Sequence, residues 1–544
     1  MKGRIFLFIL IFGWVWVAMA QTKEVHVKWV DNGIELDGKL DEAAWSEAAP
    51  ATDFWQHFPT DSLQATYQTE IRMLYDEKFL YVGIIVYAPG QDYVVPSLRR
   101  DFRARGNDNI SLMFDTFNDG NNAFFFGTNP EGVQREALIA GGGSSGTGGF
   151  NTSWDVKWQN ASSMGEDYYI SEMRIPMFSF KFREGETKWR FNAYRFDTQS
   201  NEWSTWMNIP QNQVIFNLAF MGDMIFEKPL GKSKTPIAII PYVAGNITKD
   251  FDANSTDTDA SFGGDAKIPI GNSMNLDLTV NPDFSQVEAD ELVVNLTRFE
   301  VLLPERRQFF IDNGDLFADF GNSRAANPFF SRRIGIAEDL EGDNIANQII
   351  AGMRLSGKLN TNLRLGVLNI QTAEDAENEI PTNNNTVIAL QQKVFSRSNI
   401  GFIFVNRQVT KSTSFIEEAE EFNRVIGLDY NLLSEDNKWV GKFYMHKSFT
   451  PESGDQDLSS GAFLEYNSRY WKFNLGGRYV GEDFQADLGF VRRNDIIQVD
   501  PVATRIFYPK DSKINTHTIE VRGNSTWAPE LDFRHTDAFV DVEY

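Results

Sequence analysis

The chain has 544 residues, 75 acidic against 51 basic, for a formal net charge of −24. That excess of carboxylates argues against a nucleic-acid partner, because phosphate contacts need clustered Lys and Arg. With no Cys there are no disulfides and no thiolate metal sites, and five scattered His give no reason to expect a zinc site.

Lys2 and Arg4 precede an apolar run over 5–17, and Ala18-Met19-Ala20 matches a small-x-small cleavage pattern. Residues 1–20 are therefore expected to be a signal peptide, with Gln21 starting the mature chain. The apolar run is short for a membrane anchor, and no Cys is there to carry a lipid. No other stretch reaches the ~18 apolar residues of a membrane helix, so a spanning mature chain would need a closed β-barrel, which leaves no backbone group unpaired in lipid.

Over 24–228, short runs at 68–75, 79–86, 109–115, 122–127, 166–176 and 188–198 are rich in β-branched and aromatic residues and separated by turn formers. The pattern predicts a β-sandwich. The Gly- and Ser-rich stretch 141–149 reads as a flexible loop. Trp45, on a short helical turn after Leu40, and Trp189, in an alternating strand, are expected in the core. Trp203 and Trp206 lie in a polar stretch before Pro210, and Trp154 follows the Gly-rich loop; these are predicted at the surface. An exposed indole stacks on a pyranose ring while neighbouring polar groups bond its hydroxyls. Trp203, Trp206, Trp154 and Trp55, with Arg72, form the candidate sugar-binding set, and burial in the core is the alternative for each Trp.

Pro229, Gly231 and the nearby Lys residues mark 229–235 as a linker. Beyond it, over 236–544, segments of alternating polarity recur to the last residue. Examples are Met274-Asn-Leu276-Asp-Leu278-Thr-Val280, Trp471-Lys-Phe473-Asn-Leu475 and Ala486-Asp-Leu488-Gly-Phe490. Between Arg424 and Tyr430, Ile426, Leu428 and Tyr430 share one face and Gly427 and Asp429 the other. Charges facing a protein core would be costly, whereas charges facing a wet lumen, with the apolar set toward lipid, are reasonable. The expectation is an antiparallel transmembrane β-barrel of roughly fourteen to sixteen strands. A large soluble sandwich or propeller would share the same period. The ending Val540-Asp-Val542-Glu-Tyr544 reads as a strand finishing on an aromatic.

Several motifs fail. Gly231-Lys232-Ser233 has Phe226 where a phosphate-binding loop needs Gly. Asp250-Phe-Asp252-Ala-Asn254 has Ser255 and Ser261 where a calcium loop needs Gly and Glu. There is no G-x-S-x-G, and the many acidic residues single out no carboxylate pair, so no catalytic motif is seen and the sequence lends enzymatic activity no support without excluding it.

The segments Ile34-Glu-Leu-Asp37-Gly38-Lys-Leu-Asp41-Glu42-Ala-Ala-Trp45, Thr69-Glu-Ile-Arg72-Met-Leu-Tyr75-Asp76, Asp108-Asn-Ile-Ser-Leu-Met-Phe-Asp115 and Tyr169-Ile-Ser-Glu172-Met-Arg-Ile175-Pro176 carry a resemblance. In order and spacing this part resembles the family 9 carbohydrate-binding modules. The resemblance implies an immunoglobulin-like or jelly-roll sandwich that binds carbohydrate between two Trp residues and holds structural calcium. Only the later Trp can be carried over, onto Trp203 or Trp206, since 75–105 offers no partner for the earlier one. Asp76 and Asp115 are the candidate calcium ligands, and no other cofactor is implied.

The segment Asn281-Pro-Asp283-Phe-Ser-Gln286-Val-Glu288-Ala-Asp290, continuing through Asn295-Leu-Thr-Arg298-Phe-Glu300 to Pro304-Glu305-Arg306-Arg307-Gln-Phe309-Phe310, is similar to the domain of unknown function 5916. In that family, best known from Bacteroidetes-type bacteria, such a module precedes an outer-membrane barrel. Members are usually longer, so the resemblance implies a truncated barrel. Within 281–312, Asp283, Glu288, Asp290 and Glu305 alternate with Arg298, Arg306 and Arg307. This reads as an insert whose ion pairs line the barrel wall or lumen, the alternative being a gate or solute contact. The functional expectation is an exported outer-membrane protein, in contact with outer-membrane lipid, that binds a poly- or oligosaccharide or aids carbohydrate uptake and catabolism. A hydrolase-associated protein targeted by the module and a structural envelope protein without a sugar ligand are the alternatives.

Overall fold

The structure is a computed structural model. It describes residues 23–143, 149–232, 236–250, 255–282, 305, 307–322, 325–342, 344–416, 420–452, 454–509, 512 and 514–544. The expected signal peptide, most of the Gly-rich loop, the core of the failed calcium loop, and Asp283, Glu288, Asp290, Arg298 and Arg306 lie outside the described residues.

Alternation along short β-branched and aromatic runs builds the N-terminal unit. Strand Glu24–Trp29 belongs to two sheets: its first part pairs in parallel with Gly222–Phe226 and its end with Thr69–Tyr75. From Gly222–Phe226 one sheet continues through Lys188–Asp197, Asn109–Asp115, Ala123–Thr128 and Gln134–Ile139. From Thr69–Tyr75 the other continues through Phe79–Tyr87 and Tyr168–Pro176 to Gln159–Met164. Ile71, Val82 and Met173 of the second sheet meet Leu112, Phe191 and Met224 of the first, and this is the core of a β-sandwich. Each such side chain contributes about 1.5–3 kcal/mol by leaving water. Trp45, on helix Ala43–Glu47, and Trp189 are both buried. The outer face of the first sheet is also covered, with Phe125, Tyr194 and Phe196 packed beneath Leu218 and Met221. Glu172 is buried on Tyr168–Pro176, where Oε2 accepts the N–H groups of Asp37 and Gly38, both at 3.0 Å. Burial pushes its carboxyl up to about 7 despite those two bonds.

The second unit is an antiparallel meander of fourteen strands in chain order, from Ala238–Asp250 to Arg534–Glu543. The closed barrel expected from the alternation is not formed by these strands. The first and last are the two edges of the sheet and do not pair with each other. Every residue of the last strand is exposed, because no element covers either of its faces. The alternating segment at 486–490 is not a sheet strand either; only Phe490–Val491 pairs, with Ala326–Asn327. Its apolar residues Leu488 and Phe490 alternate because they turn inward onto the core shared by the plug and the inner face of the sheet. No described helix is long and apolar enough to cross a membrane.

The two faces of the meander differ: one exposes apolar side chains, and the other mixes buried charges with apolar residues such as Val387, Ile403, Val405 and Val425 that pack against the plug. Ile426, Leu428, Met445, Phe473 and Leu475 are exposed on one face. Asp277, Arg354, Asp429 and His446 are buried on the other, each no more than 2% exposed. A segment between Val280 and Ile349 packs on the polar face through two short helices, Gln308–Ile311 and Asp315–Ala318. Phe317 and Phe320 of this plug sit on Gly366 and Gly401, where an added Cβ would lie 2.5 Å and 2.8 Å from the rings. Only glycine lets the plug approach that closely. Ion pairs surround it: Lys267 with Asp312 (2.7 Å), Arg364 with Asp315 (2.6 Å) and Lys442 with Asp319 (2.7 Å).

Candidate functional site

The sandwich sits on the rim of the meander where turns 359–362, 395–397, 434–438 and 468–470 join the strands. The seat starts with one carboxylate. Asp115, ending strand Asn109–Asp115, accepts the backbone N–H groups of Phe117 and Asp119 (3.2 Å each) and of Gly120 (2.8 Å). The loop so shaped presents Asp119, which accepts the N–H groups of Asn121 (2.8 Å) and Asn122 (3.1 Å) and pairs with Lys358 at the end of Ile349–Lys358. Both side chains of that pair are buried. Burial alone would push the Asp119 carboxyl up, but the charge and hydrogen bond of Lys358 outweigh it and hold it below the usual carboxylate range. Asp115, buried beside the Asp119 charge, is pushed up.

Further contacts complete the seat. Arg397 donates to the carbonyls of Gly120 (3.2 Å) and Gly142 (3.4 Å). Arg469 grips Asp61 through two bonds of 2.7 and 2.8 Å. Asn212 and Asn467 exchange hydrogen bonds of 2.9 and 3.1 Å.

Inside this seat, sandwich, plug and strands bound a cavity of about 1260 Å³. The sandwich contributes Phe117, Phe124, Trp154 and Phe178 together with Asn122 and Asn151; the strands contribute Asn275, Arg364, Lys442 and Arg478. Lys358 lies 3.8 Å from the centroid of Phe117. Lys181 donates to Asn275 Oδ1 at 3.1 Å, and burial lowers its pKa against the raising charges of Asp312 and Asp277. Aromatic faces beside amides and paired charges suit a polyhydroxylated ligand, with rings for C–H faces and fixed donors and acceptors for hydroxyls. Asp315 and Asp319, the plug carboxylates facing this space, are each paired to a cation and so occupied.

The predicted site residues are not gathered in one place. Trp206 is a correction. It is only 2% exposed and packs on Phe191 in the sandwich core, because the polar stretch around it turns its ring inward. Trp154 is likewise buried, packed on Phe124 and Phe126, and meets ligand space only as part of the cavity wall. Trp203 is half-buried between Phe58 and Phe196, with the Arg105 guanidinium over its ring at 5.2 Å. Trp55 is half-buried on the neighbouring strand Trp55–Phe58. Arg72 pairs with Glu70 at 2.7 Å. Asp76 accepts the N–H groups of Lys78 (2.6 Å) and Phe79 (2.7 Å) and the Tyr81 hydroxyl (2.9 Å), so it shapes a turn, as Asp115 does. Among the described residues no group of three or more His, Asp or Glu is placed to hold a metal ion. Of the signature charges, Glu305 and Arg307 pair at 2.8 Å, and Arg307 also donates to the carbonyls of Ile334 (2.6 Å) and Ser331 (2.7 Å), holding the start of the plug. Sequence reasoning did not single out Asp119, Lys358, Arg397, Asp61 or Arg469. Their partners are hundreds of residues away, and only the turn-rich run Asn118-Asp119-Gly120-Asn121-Asn122 hinted at a special loop.

Comparison with known proteins places these features in context. Among solved structures, a family 9 carbohydrate-binding module from Caldicellulosiruptor kristjanssonii in complex with cellotriose matches at 15% identity and TM-score 0.28, covering 40% of this chain and 98% of that one. The same type of module from that organism, in complex with glucose, matches at 16% identity and TM-score 0.27, covering 39% and 98%. No curated protein matches the chain. The family profile described as Domain of unknown function (DUF5916) matches residues 234–538, more than half of the chain. The chain belongs to the DUF5916 family.

Proposed function

We propose that this is an outer-membrane protein whose fourteen-strand sheet faces lipid, with its two edge strands Ala238–Asp250 and Arg534–Glu543 joined in the membrane to strands outside this sheet, whose sandwich sits on the periplasmic rim, and whose seated cavity takes an oligosaccharide. The observation that carries the reading is the inverted polarity of the sheet. Ile400, Leu428, Met445, Phe473 and Leu475 point outward and are 44–58% exposed, while the inward face buries Asp277, Arg354, Asp429 and His446. In water an apolar face of that extent would be driven to a partner, at roughly 25 cal/mol per Å². Against hydrocarbon it is at rest, and the face that holds these charges belongs inside.

Loop lengths support the sidedness. On the sandwich's rim the connections 271–273, 359–362, 395–397, 434–438 and 468–470 are three to five residues long, and 508–516 is longer. On the far rim 373–382, 410–421, 450–457 and 481–495 run eight to fifteen residues, while 529–533 and the connection between the first two strands are five and four residues long. Membrane barrels keep short turns in the periplasm and longer loops outside. The sugar reading is supported by the cavity's mix of aromatic faces and fixed amides.

The test of location is fractionation of cells making the full chain, with a protease-cleavable tag in the sandwich. The tag should enter the outer-membrane fraction and resist protease until that membrane is permeabilised; a stable soluble monomer obtained without detergent refutes the membrane placement. For the ligand, the detergent-purified protein goes on a glycan array. Phe178 is 40% exposed and lines the cavity, so Phe178→Ala should weaken any bound glycan roughly tenfold, on the scale of a lost ring contact. A protein that binds no glycan, or a variant that binds as tightly as wild type, refutes the assignment.

A further inference from the structure

The outward face of the sheet carries a second concavity, a groove of about 740 Å³ that is almost wholly apolar. Its shape follows from strand register. Along the paired strands Trp471–Val480 and Ile496–Phe507, the outward pairs run Trp471 with Arg505, Phe473 with Ala503, and Leu475 with Pro501. On the next strand, Val521 lies opposite Ala503, and Gly523 follows two residues further on. The floor is thus made of small residues, Ala503, Pro501 and Gly523, between taller walls that include Phe473, Leu475 and Val540. Small residues in a row beside large ones leave a channel where a flat lipid-facing wall would otherwise be.

A cation stands at the sandwich end of this channel. The Arg505 guanidinium lies 4.7 Å from the ring of Trp471, 5.0 Å from Phe507 and 5.4 Å from Tyr470. It donates to the carbonyl of Tyr470 at 3.2 Å, and among the described residues no carboxylate is in salt-bridge range of it. Arg522, which also borders the groove, is by contrast neutralised by Glu520, Asp541 and Glu543. Trp439 and Tyr466 pack together at 4.8 Å on the same rim, as interfacial aromatics do at head-group level. From Arg505 to Pro501 the strand advances about 14 Å, close to half of a ~30 Å hydrocarbon core and so to the depth of one leaflet.

We propose that this groove is a specific site for a diacyl glycerophospholipid, with its phosphate on Arg505 and one acyl chain over Ala503 and Pro501. The inference rests on the membrane reading above, and on the short-turn rim being periplasmic, where the leaflet is made of glycerophospholipid. Arginine held among aromatic rings presents its free N–H groups to a phosphate in a fixed fork, and such charge-assisted bonds are about twice as strong as neutral ones.

The experiment uses the full mature chain in detergent and native mass spectrometry, with dioleoyl phosphatidylglycerol as probe and phosphate-free dioleoylglycerol as control. One phosphatidylglycerol should be retained in preference to dioleoylglycerol. Arg505→Gln should lower that retention roughly tenfold, and Ala503→Phe, which fills the floor, should abolish it. Heat-modifiable migration of each variant establishes that it is folded. Equal retention of the two lipids, or an unchanged Arg505→Gln protein, overturns the site while leaving the membrane placement intact. A chain that is soluble and monomeric without detergent overturns both.

Discussion

Lys358→Met tests the seating of the sandwich directly. The Lys358 ammonium is buried against Asp119, and removing it leaves a carboxylate in the interface with no cation in contact. Breaking a buried pair from one side costs about 3–5 kcal/mol. Asp119 keeps the N–H groups of Asn121 and Asn122, so the lower end, about 3 kcal/mol, is the appropriate figure. The other ion pair described across the seat, Arg469 with Asp61, is present in both proteins and leaves this difference unchanged. At about 1.4 kcal/mol per decade, the undocked fraction should rise roughly a hundredfold. Hydrogen exchange reads this, because amide protection tracks the local opening equilibrium. The Gly120 and Asn121 amides, bonded to Asp115 and Asp119 beneath the rim, should exchange about a hundredfold faster in the variant. Adding Asp119→Asn removes the stranded charge and should restore most of the protection. Unchanged exchange in Lys358→Met, or a double variant no better protected than the single one, refutes the argument that this pair holds the seat.

Three other changes separate structure from function. Trp206→Ala should cost about 3–5 kcal/mol by opening a cavity in the sandwich core, seen as a lower melting temperature, with glycan affinity of the folded fraction unchanged; a selective loss of affinity would return Trp206 to the binding site. Gly366→Leu places side-chain atoms where Phe317 now lies, 2.5 Å from the position of an added Cβ, so the plug should be displaced; faster proteolysis within 307–322, or a raised bilayer conductance, checks it, and wild-type behaviour in both would show that the plug does not depend on that contact. Glu172 prefers its proton in the folded state, with its carboxyl raised to about 7 from an ordinary value near 4.5. The folded state therefore binds more protons than the unfolded one between those values, and stability falls as pH rises through them. Glu172→Gln should flatten that decline and raise the melting temperature at about pH 8, and an unchanged slope between about pH 5 and pH 8 would mean the decline arises elsewhere.

Strands were legible wherever one face met a uniform medium. The alternating Met274–Val280 stands in the structure at the position the sequence suggests, because period-2 polarity reports a face directly; the run 109–115, buried on both faces, was legible instead from its β-branched and aromatic residues between turn formers. The same rule misread 486–490, where Leu488 and Phe490 turn inward onto the plug core and only Phe490 is held by a two-residue ladder, opposite Asn327. It also misread Trp206, since neighbouring Ser and Asn said nothing about an inward-turned ring. The cavity could not be read at all. Its lining comes from segments as distant as Phe117 and Arg478, and no local pattern records which loop meets which rim. The sidedness proposed above was equally hidden, because comparing turn lengths at the two ends of the strands needs their pairing order first.

The charges that join the parts follow one rule, and it bears on how the interior works. In five pairs among the described residues that fix plug or sandwich to the sheet, the cation belongs to the strands or their turns and the carboxylate to the part being fixed: Lys267 with Asp312, Arg364 with Asp315, Lys442 with Asp319, Lys358 with Asp119, and Arg469 with Asp61. The wall has carboxylates of its own, Asp277 beside Arg354 and Asp429 beside Lys442, and the plug and sandwich add the negative charge that pairs these five cations. Pairing of this kind selects orientation more than it adds net stability, since desolvation offsets most of the Coulomb attraction. A shifted plug would set carboxylate against apolar or like-charged neighbours, so only one seating satisfies all five pairs together. The aromatic contacts of Phe317 and Phe320 on their glycines then supply the packing energy at a position the charges have already chosen.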